Sequence, residues 1–342
     1  MREKRFDASP RLLCVVAMIL ACVVSAQAGV WQRQQSGTMA WLHAVFFLDQ
    51  SRGWAAGSNG ALMRTTDGGA TWQAARRPTE DALQDIAFVD AQNGWMVCDR
   101  SIYLLKTKDE QRTYLMSTQD GGASWKRVDI KGLDVDSRLV RALFSNRERG
   151  WTFGEGGLLF ATRDGGATWL RQRVPTRYLL LGGTFVDREA GWIVGAGATV
   201  LQTVDGGETW NSDIAVQRSA GVRFHAASFV DRRRGWVVGA KGLIFATVDG
   251  GRTWREQQSN TTEDLFDVKF TDAREGWAVG DDGTIVHTVD GGAHWTIEPS
   301  GTTHKLERLY FTSRERGWAV GFGGTIIAYN SGPTSNPPAL RK

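Results

Sequence analysis

The dipeptide Gly-Trp recurs seven times in this 342-residue chain, at Gly53-Trp54, Gly94-Trp95, Gly150-Trp151, Gly191-Trp192, Gly235-Trp236, Gly276-Trp277 and Gly317-Trp318. Successive tryptophans stand 41, 56, 41, 44, 41 and 41 residues apart. A second motif, Asp-Gly-Gly-x-x-Trp, keeps the same phase six times, from Asp67, Asp120, Asp164, Asp205, Asp249 and Asp290. Two motifs in one register require like units that bury their apolar faces on one another. The 41 Gly and 15 Trp belong to that pattern: glycine for tight turns, tryptophan for a repeated packing element.

One unit shows what is repeated. Residues 264–271 alternate apolar and polar, as a half-buried strand does. Residues 272–276 form a turn and 277–280 a second short strand. Asp281-Asp282-Gly283 turns into a third strand at 284–288, and Asp290-Gly291-Gly292 into a fourth at 294–298. Four antiparallel strands per 41 residues make one propeller blade. The seventh unit lacks its fourth strand, because Asn330-Ser331-Gly332 is a decayed Asp-Gly-Gly with no tryptophan after it. The missing piece lies at the other end. Trp31-Gln32-Arg33-Gln34-Gln35-Ser36 matches Trp254-Arg255-Glu256-Gln257-Gln258-Ser259. The fold expected is all-β, a seven-bladed β-propeller of four-stranded antiparallel blades, closed by the N-terminal strand completing the last blade. Closure removes the free sheet edges that invite aggregation, and a monomer is expected.

The propeller is assigned to residues 29–332. Residues 1–28 read as a signal peptide: a basic start, an apolar run over 12–24 too short for a comfortable span, and Ala26-Gln27-Ala28 before Gly29. Ile19-Leu20-Ala21-Cys22 competes as a lipoprotein box, with Cys22 lipidated. Either reading exports the protein, to the periplasm or, in a photosynthetic source, to the thylakoid lumen. Cleavage removes four basic and two acidic side chains from the 41 and 37 of the whole chain, leaving a net charge of +2. Such near-balance argues against a nucleic-acid partner. Cys98 is then the one cysteine left, so no internal disulfide forms. Residues 333–342 read as a disordered tail.

The Asp-Gly-Gly motif is the Asp-box. Its carboxylate is expected to accept backbone N–H groups two or three residues ahead, its glycines to supply positive φ, and its tryptophan to close the seam between blades. Repetition makes Asp67, Asp120, Asp164, Asp205, Asp249 and Asp290 structural, since a ring has one centre. The Gly-Trp turns are rich in arginine, including Arg52, Arg147, Arg188, Arg232, Arg233, Arg234, Arg274 and Arg314, and share a face with the Asp-boxes. Two readings are open there: surface ion pairs, or a patch that docks an acidic segment. The opposite face carries the crossings between blades and the channel mouth, with Arg177, Arg218, Arg223 and His225 as partner-binding candidates. The surplus of the second unit falls in residues 99–116, read as an extended hairpin and either a tolerated loop or a docking element.

Units such as residues 229–254, of the form F-x-D-x-x-x-G-W-x-V-G-x-x-G-x-I-x-x-T-x-D-G-G-x-T-W, resemble the photosystem II stability/assembly factor propellers, the BNR or Asp-box family. The resemblance spans residues 30–332 and points to an exported bacterial member. It implies a non-enzymatic factor that binds a membrane protein or membrane-associated complex on the extracytoplasmic side, partly through arginines. The family's arginine-rich blade junction corresponds loosely to Arg218 and Arg223, with Ala220-Gly221-Val222 between them. Two alternatives stay open: an accessory of a cell-envelope exporter, or an Asp-box glycoside hydrolase of sialidase type. The hydrolase would draw its acids from channel-face residues such as Asp85, Glu263, Asp264 and Glu307. No metal-ligand spacing or phosphate-binding loop is present, so no cofactor or metal is expected.

Overall fold

The computed structural model of the chain describes residues 29–212 and 221–331. The proposed leader with Cys22, the arginine Arg218 and the 333–342 tail lie outside the described residues.

Among the described residues seven antiparallel sheets follow one another, six of four strands and one of three. Each begins on an inner strand: Leu42–Phe47, Ala82–Phe88, Leu139–Phe144, Leu180–Phe185, Phe224–Phe229, Leu265–Phe270 and Leu306–Ser313. Each inner strand packs on the next, and the last packs on the first, so the sheets close into a ring. The second strand of each blade opens on the Gly-Trp pair, or one residue before it in the last blade, and is buried throughout or nearly so, as in Gly235–Gly239. In blade 4 the outer strand shrinks, among the described residues, to one bridge between Gln202 and Asn211.

The last sheet is ordered Val30–Gln34, Ile326–Asn330, Arg316–Gly321, Leu306–Ser313, so the N-terminal strand is its outer strand. The register runs from Val30 opposite Asn330 to Gln34 opposite Ile326. The sequence match of this strand to residues 254–259 reads out as shared bonds. Gln34 Oε1 accepts Trp72 Nε1–H at 3.0 Å, and Gln257 Oε1 accepts Trp295 Nε1–H at 3.1 Å.

The Gly-Trp pair owes its form to a phenylalanine at or near the end of each inner strand. At Gly235 a Cβ would sit 2.3 Å from the Phe229 ring, and the other six glycines meet their own phenylalanine equally closely. A side chain there would displace the ring. The ring's free face takes the Gly-Trp indole of the preceding blade, as Trp192 stacks on Phe229 at 3.6 Å and 4°. The blade's own Asp-box tryptophan meets the ring edge-on, as Trp254 does at 6.0 Å and 86°. Face-to-face stacking across the seam is therefore the work of the Gly-Trp indole, and the Asp-box tryptophan closes the same seam as the sequence implied, Trp72 packing with Trp318 and Val320 of the last blade. Such aromatic pairs add about 0.5–1.5 kcal/mol beyond their burial.

The Asp-box bonds also differ from expectation. Asp249 Oδ1 accepts the N–H of Thr253, four residues ahead, at 2.9 Å, and Oδ2 accepts the Thr253 hydroxyl at 2.6 Å. Thr247 completes the knot, giving its hydroxyl to Asp249 and accepting the Gly251 N–H. The pattern of N–H groups two and three residues ahead belongs to the other turn. Asp231 there accepts from Arg233 and Arg234, and Asp49, Asp90, Asp187 and Asp272 do the same in their blades.

Blade 2 breaks the pattern at Cys98, which occupies the position of the glycine that ends the second strand elsewhere. A Cβ at Gly239 would lie 2.1 Å from the Arg223 carbonyl oxygen, a clash that the tight turn imposes. In blade 2 the strand instead runs on to Asp99, paired with Thr113. The hairpin is lengthened by two pairs, Cys98 with Tyr114 and Asp99 with Thr113. Residues 100–112 form a loop with one turn of 3-10 helix, pinned by Arg100 on Asp81 and Glu110.

Candidate functional site

On the Asp-box face the first and third turns of a blade are joined directly, as Gly250 N–H bonds the Arg233 carbonyl at 2.8 Å. Several turn arginines are engaged there. Arg232 reaches back one blade to Asp187 and Glu189, both at 2.7 Å, and Arg314 likewise to Asp272 and Glu275. Arg147 pairs with Asp90, and Arg234 with Asp231 of its own turn. Arg233 is exposed, with no ion pair among the described residues. The Asp-box carboxylates are held as anions: the Thr71 hydroxyl and N–H, with the Thr65 hydroxyl, lower Asp67 to about 2.

The opposite face, where the chain crosses between blades, is built differently. Its turns leave large apolar side chains in water: Met39 is 83% exposed, Tyr103 90%, Tyr178 52% and Phe322 51%. Ile102 and Leu104, beside Tyr103 in the loop of blade 2, are exposed too. Around the channel mouth an aromatic arc runs from Phe322 to Trp41, whose centroids are 5.6 Å apart. It continues through Lys305, whose Nζ lies 5.3 Å from the Trp41 ring and 3.6 Å from that of Phe266. His225 ends it, stacked on Phe266 at 5.0 Å with Nδ1 on the Leu265 carbonyl at 2.8 Å. Burial holds the His225 imidazole below its ordinary value. A cation held between two aromatic faces is a strong and directional contact.

The sequence-derived candidates divide between these faces. Arg177 and Arg223 are both exposed on the crossing face and flank one turn. Arg223 pairs with Ala196, and a Cβ on the adjacent Gly197 would meet the Tyr178 ring at 2.7 Å. His225 joins the arc nearer the axis. Arg232, Arg233 and Arg234 sit on the other side of the disc. Trp41, Phe266 and Phe322 went unnoticed in the sequence because each looks like an ordinary strand-edge or turn residue, whereas Lys305 lies in the 303–308 crossing that the sequence places on this face. A mismatch with the other blades at the same repeat position was the one available signal.

Between the faces lies the channel. The position three residues before each blade phenylalanine is occupied in turn by Ala44, Asp85, Arg141, Gly182, Ala226, Asp267 and Arg308, and of these Asp85, Arg141, Asp267 and Arg308 line the channel. Of the four carboxylates named as candidate acids, Asp85, Asp264 and Glu307 are used in the fold, and Glu263 makes no side-chain bond among the described residues. Asp85 accepts the Ala142 N–H and Asp267, on the same ring, the Leu309 N–H, each from the next blade. Asp264 accepts the Lys241 N–H, and Glu307 meets His43 Nδ1 at 3.3 Å. Among the described residues no group of three or more His, Cys, Asp or Glu is placed to hold a metal ion.

The solved structures similar to this one include YCF48 and a glycoside hydrolase. YCF48 from Cyanidioschyzon merolae is 19% identical, with a TM-score of 0.71 over 88% of this chain and 98% of that one. A structure of YCF48 bound to D1 peptide is 20% identical, with a TM-score of 0.72 over 88% and 96%. The GH74 xyloglucanase from Xanthomonas campestris is 14% identical, with a TM-score of 0.68 over 90% of this chain and 55% of that one. At these identities the likeness is one of fold. No curated protein matches the sequence. The family model of the Photosynthesis system II assembly factor YCF48 does match it, over residues 23–110, 72–178, 169–262 and 255–330. With that match running through every blade of the ring, the chain belongs to the YCF48 assembly-factor family.

Proposed function

We propose that this protein is a non-catalytic exported scaffold whose crossing face holds a segment of a membrane protein, or of a membrane complex, on the extracytoplasmic side during assembly. The observation that carries the reading is the concentration of exposed Met39, Tyr103, Tyr178 and Phe322 on one face, beside Lys305, Arg177 and Arg223. Exposed apolar patches with a polar and cationic rim mark interaction surfaces. Family membership and the solved YCF48 bound to D1 peptide support a peptide-like segment as the ligand. The glycoside hydrolase alternative has shared fold behind it, while Asp85 and Asp267 spend their carboxylates on the backbone of the next blade.

The test is photocrosslinking from position 178, followed by recovery of tagged protein from membranes. Capture of a membrane protein is expected, reduced by Arg177→Glu with Arg223→Glu and by Lys305→Glu. Replacing Arg232, Arg233 and Arg234 with Glu should leave it intact. Equal capture by all forms, or none by the wild type, sinks the reading.

A further inference from the structure

The upper part of the channel is a cavity of about 530 Å³, with Arg141 and Arg308 at its base and Asp187 and Arg188 at its rim, so it opens on the Asp-box face. Its polar lining is unevenly used. Three acceptors are occupied, Asp85 by the Ala142 N–H, Asp267 by the Val268 and Leu309 N–H groups, and the Ser228 hydroxyl by the Phe270 N–H, while the buried Ser145 hydroxyl meets no partner among the described residues.

The donors are left over. Arg308 donates one 3.3 Å bond to the Glu307 carbonyl, while its buried Nε–H meets no acceptor. No carboxylate lies within ion-pair distance of Arg308 or Lys269 among the described residues. Lys269 projects into the lumen, where water reaches it, yet the surrounding walls still hold its ammonium below the ordinary lysine range. Arg141, 9% exposed, gives its Nε–H to the Leu181 carbonyl and stands 3.7 Å from Asp85. Burial, then the like charge of Arg308, lower it to about 10. A buried donor without a partner is costly, and two guanidinium groups in one cavity repel. An anion entering the cavity relieves both. The rest of the wall sets apolar Phe46, Ala87 and Leu143 beside the hydroxyl groups of Ser145 and Thr184. A carboxylate on a short carbon chain fits such a wall better than a fully hydrated inorganic anion.

We infer that the channel is a binding site for an organic carboxylate, held by Arg308 and Lys269 and entered from the Asp-box face. The site is separate from the crossing face proposed to dock a membrane-protein segment, and neither reading depends on the other. The carboxylate has two conceivable sources, a free small acid or the C-terminus of a polypeptide.

Calorimetric titration at fixed ionic strength separates them, using glutarate, sulfate, and a pentapeptide of alanines as its free acid and as its amide. Saturable binding is expected, weakened about tenfold or more by Arg308→Gln and by Lys269→Gln, as the loss of one charged hydrogen bond implies. Binding of glutarate assigns free acids. Binding of the peptide acid alone, without its amide, assigns a chain terminus. Lys269→Gln alters a side chain in the lumen, so it reports on the site even if Arg308→Gln unfolds the protein. The inference is overturned if neither acid binds, if sulfate binds equally well, or if both variants bind as the wild type does. Capture of membrane proteins through the crossing face should be the same in Lys269→Gln, which keeps the two readings distinguishable.

Discussion

The indole of Trp31 meets the ring of Phe311 edge-on, with 6.0 Å between centroids and 89° between planes. That is the relation of Trp254 to Phe229 and of Trp72 to Phe47, each within a single unit of sequence. Trp31 is therefore the seventh Asp-box tryptophan, supplied from the other end of the chain. Its Nε1–H is fixed on Glu298 at 2.9 Å, and Glu298 in turn meets His287 Nδ1 at 2.7 Å. The closing strand is held by packing and by a hydrogen bond at once.

Trp31→Ala should cost about 3–5 kcal/mol, the usual loss for a buried tryptophan. Urea unfolding measures the total. Hydrogen exchange should show the opening to be local, with amides of Ile326–Asn330 losing protection before those of Leu180–Phe185. Equal loss of protection throughout the ring would show that closure is not a separate step.

Gly235→Ala should destabilise although the residue is neither in a helix nor at positive φ. The added methyl would stand 2.3 Å from the Phe229 ring, which is stacked on Trp192 and cannot retreat. Overpacking of this kind costs about 1–3 kcal/mol. Gly221→Ala, where nothing among the described residues lies within 4 Å, is the control and should leave the unfolding midpoint unchanged.

Acid should loosen the Asp-boxes together. Asp67, Asp120, Asp249 and Asp290 are each lowered from 3.8 to about 2. At Asp249 burial alone would raise the value, and the bonds from Thr253 and Thr247 outweigh it. A depressed folded value means that the stabilisation is complete above about pH 4 and is lost as pH falls toward 2. The urea midpoint of the wild type should drop through that window with proton uptake on unfolding. Asp249→Asn, lower at neutral pH, should show a smaller drop. A parallel pH dependence in the two would remove this carboxylate from the account.

Cys98 should not react with thiol reagents in the folded protein. It is fully buried, and burial, then the charge of Asp81, pushes its thiol far above the ordinary range. Labelling with a chromogenic disulfide should proceed at the rate at which blade 2 opens and rise with urea as unfolding does. Rapid labelling in native buffer would mean that this blade is open in solution.

The repeat in the sequence determined the number of blades, the order of strands within each and the closure of the ring, because every blade buries the same apolar positions and so must keep the same period. Even the borrowed strand was legible, since Gln34 and Gln257 do the same work on Trp72 and Trp295. What the motifs do physically needed the tertiary structure. The glycine of Gly-Trp looked like a turn residue, and it is the floor for a phenylalanine that lies six residues earlier in its own blade. Tertiary structure alone also assembled the channel. Arg141, Lys269 and Arg308 lie on the inner strands of three separate blades, and a local pattern cannot say which donors face one another across a closed ring. Their shortage of acceptors follows from the same closure, because Asp85 and Asp267 bond the backbone of the next blade, a neighbour that exists only once the ring is formed.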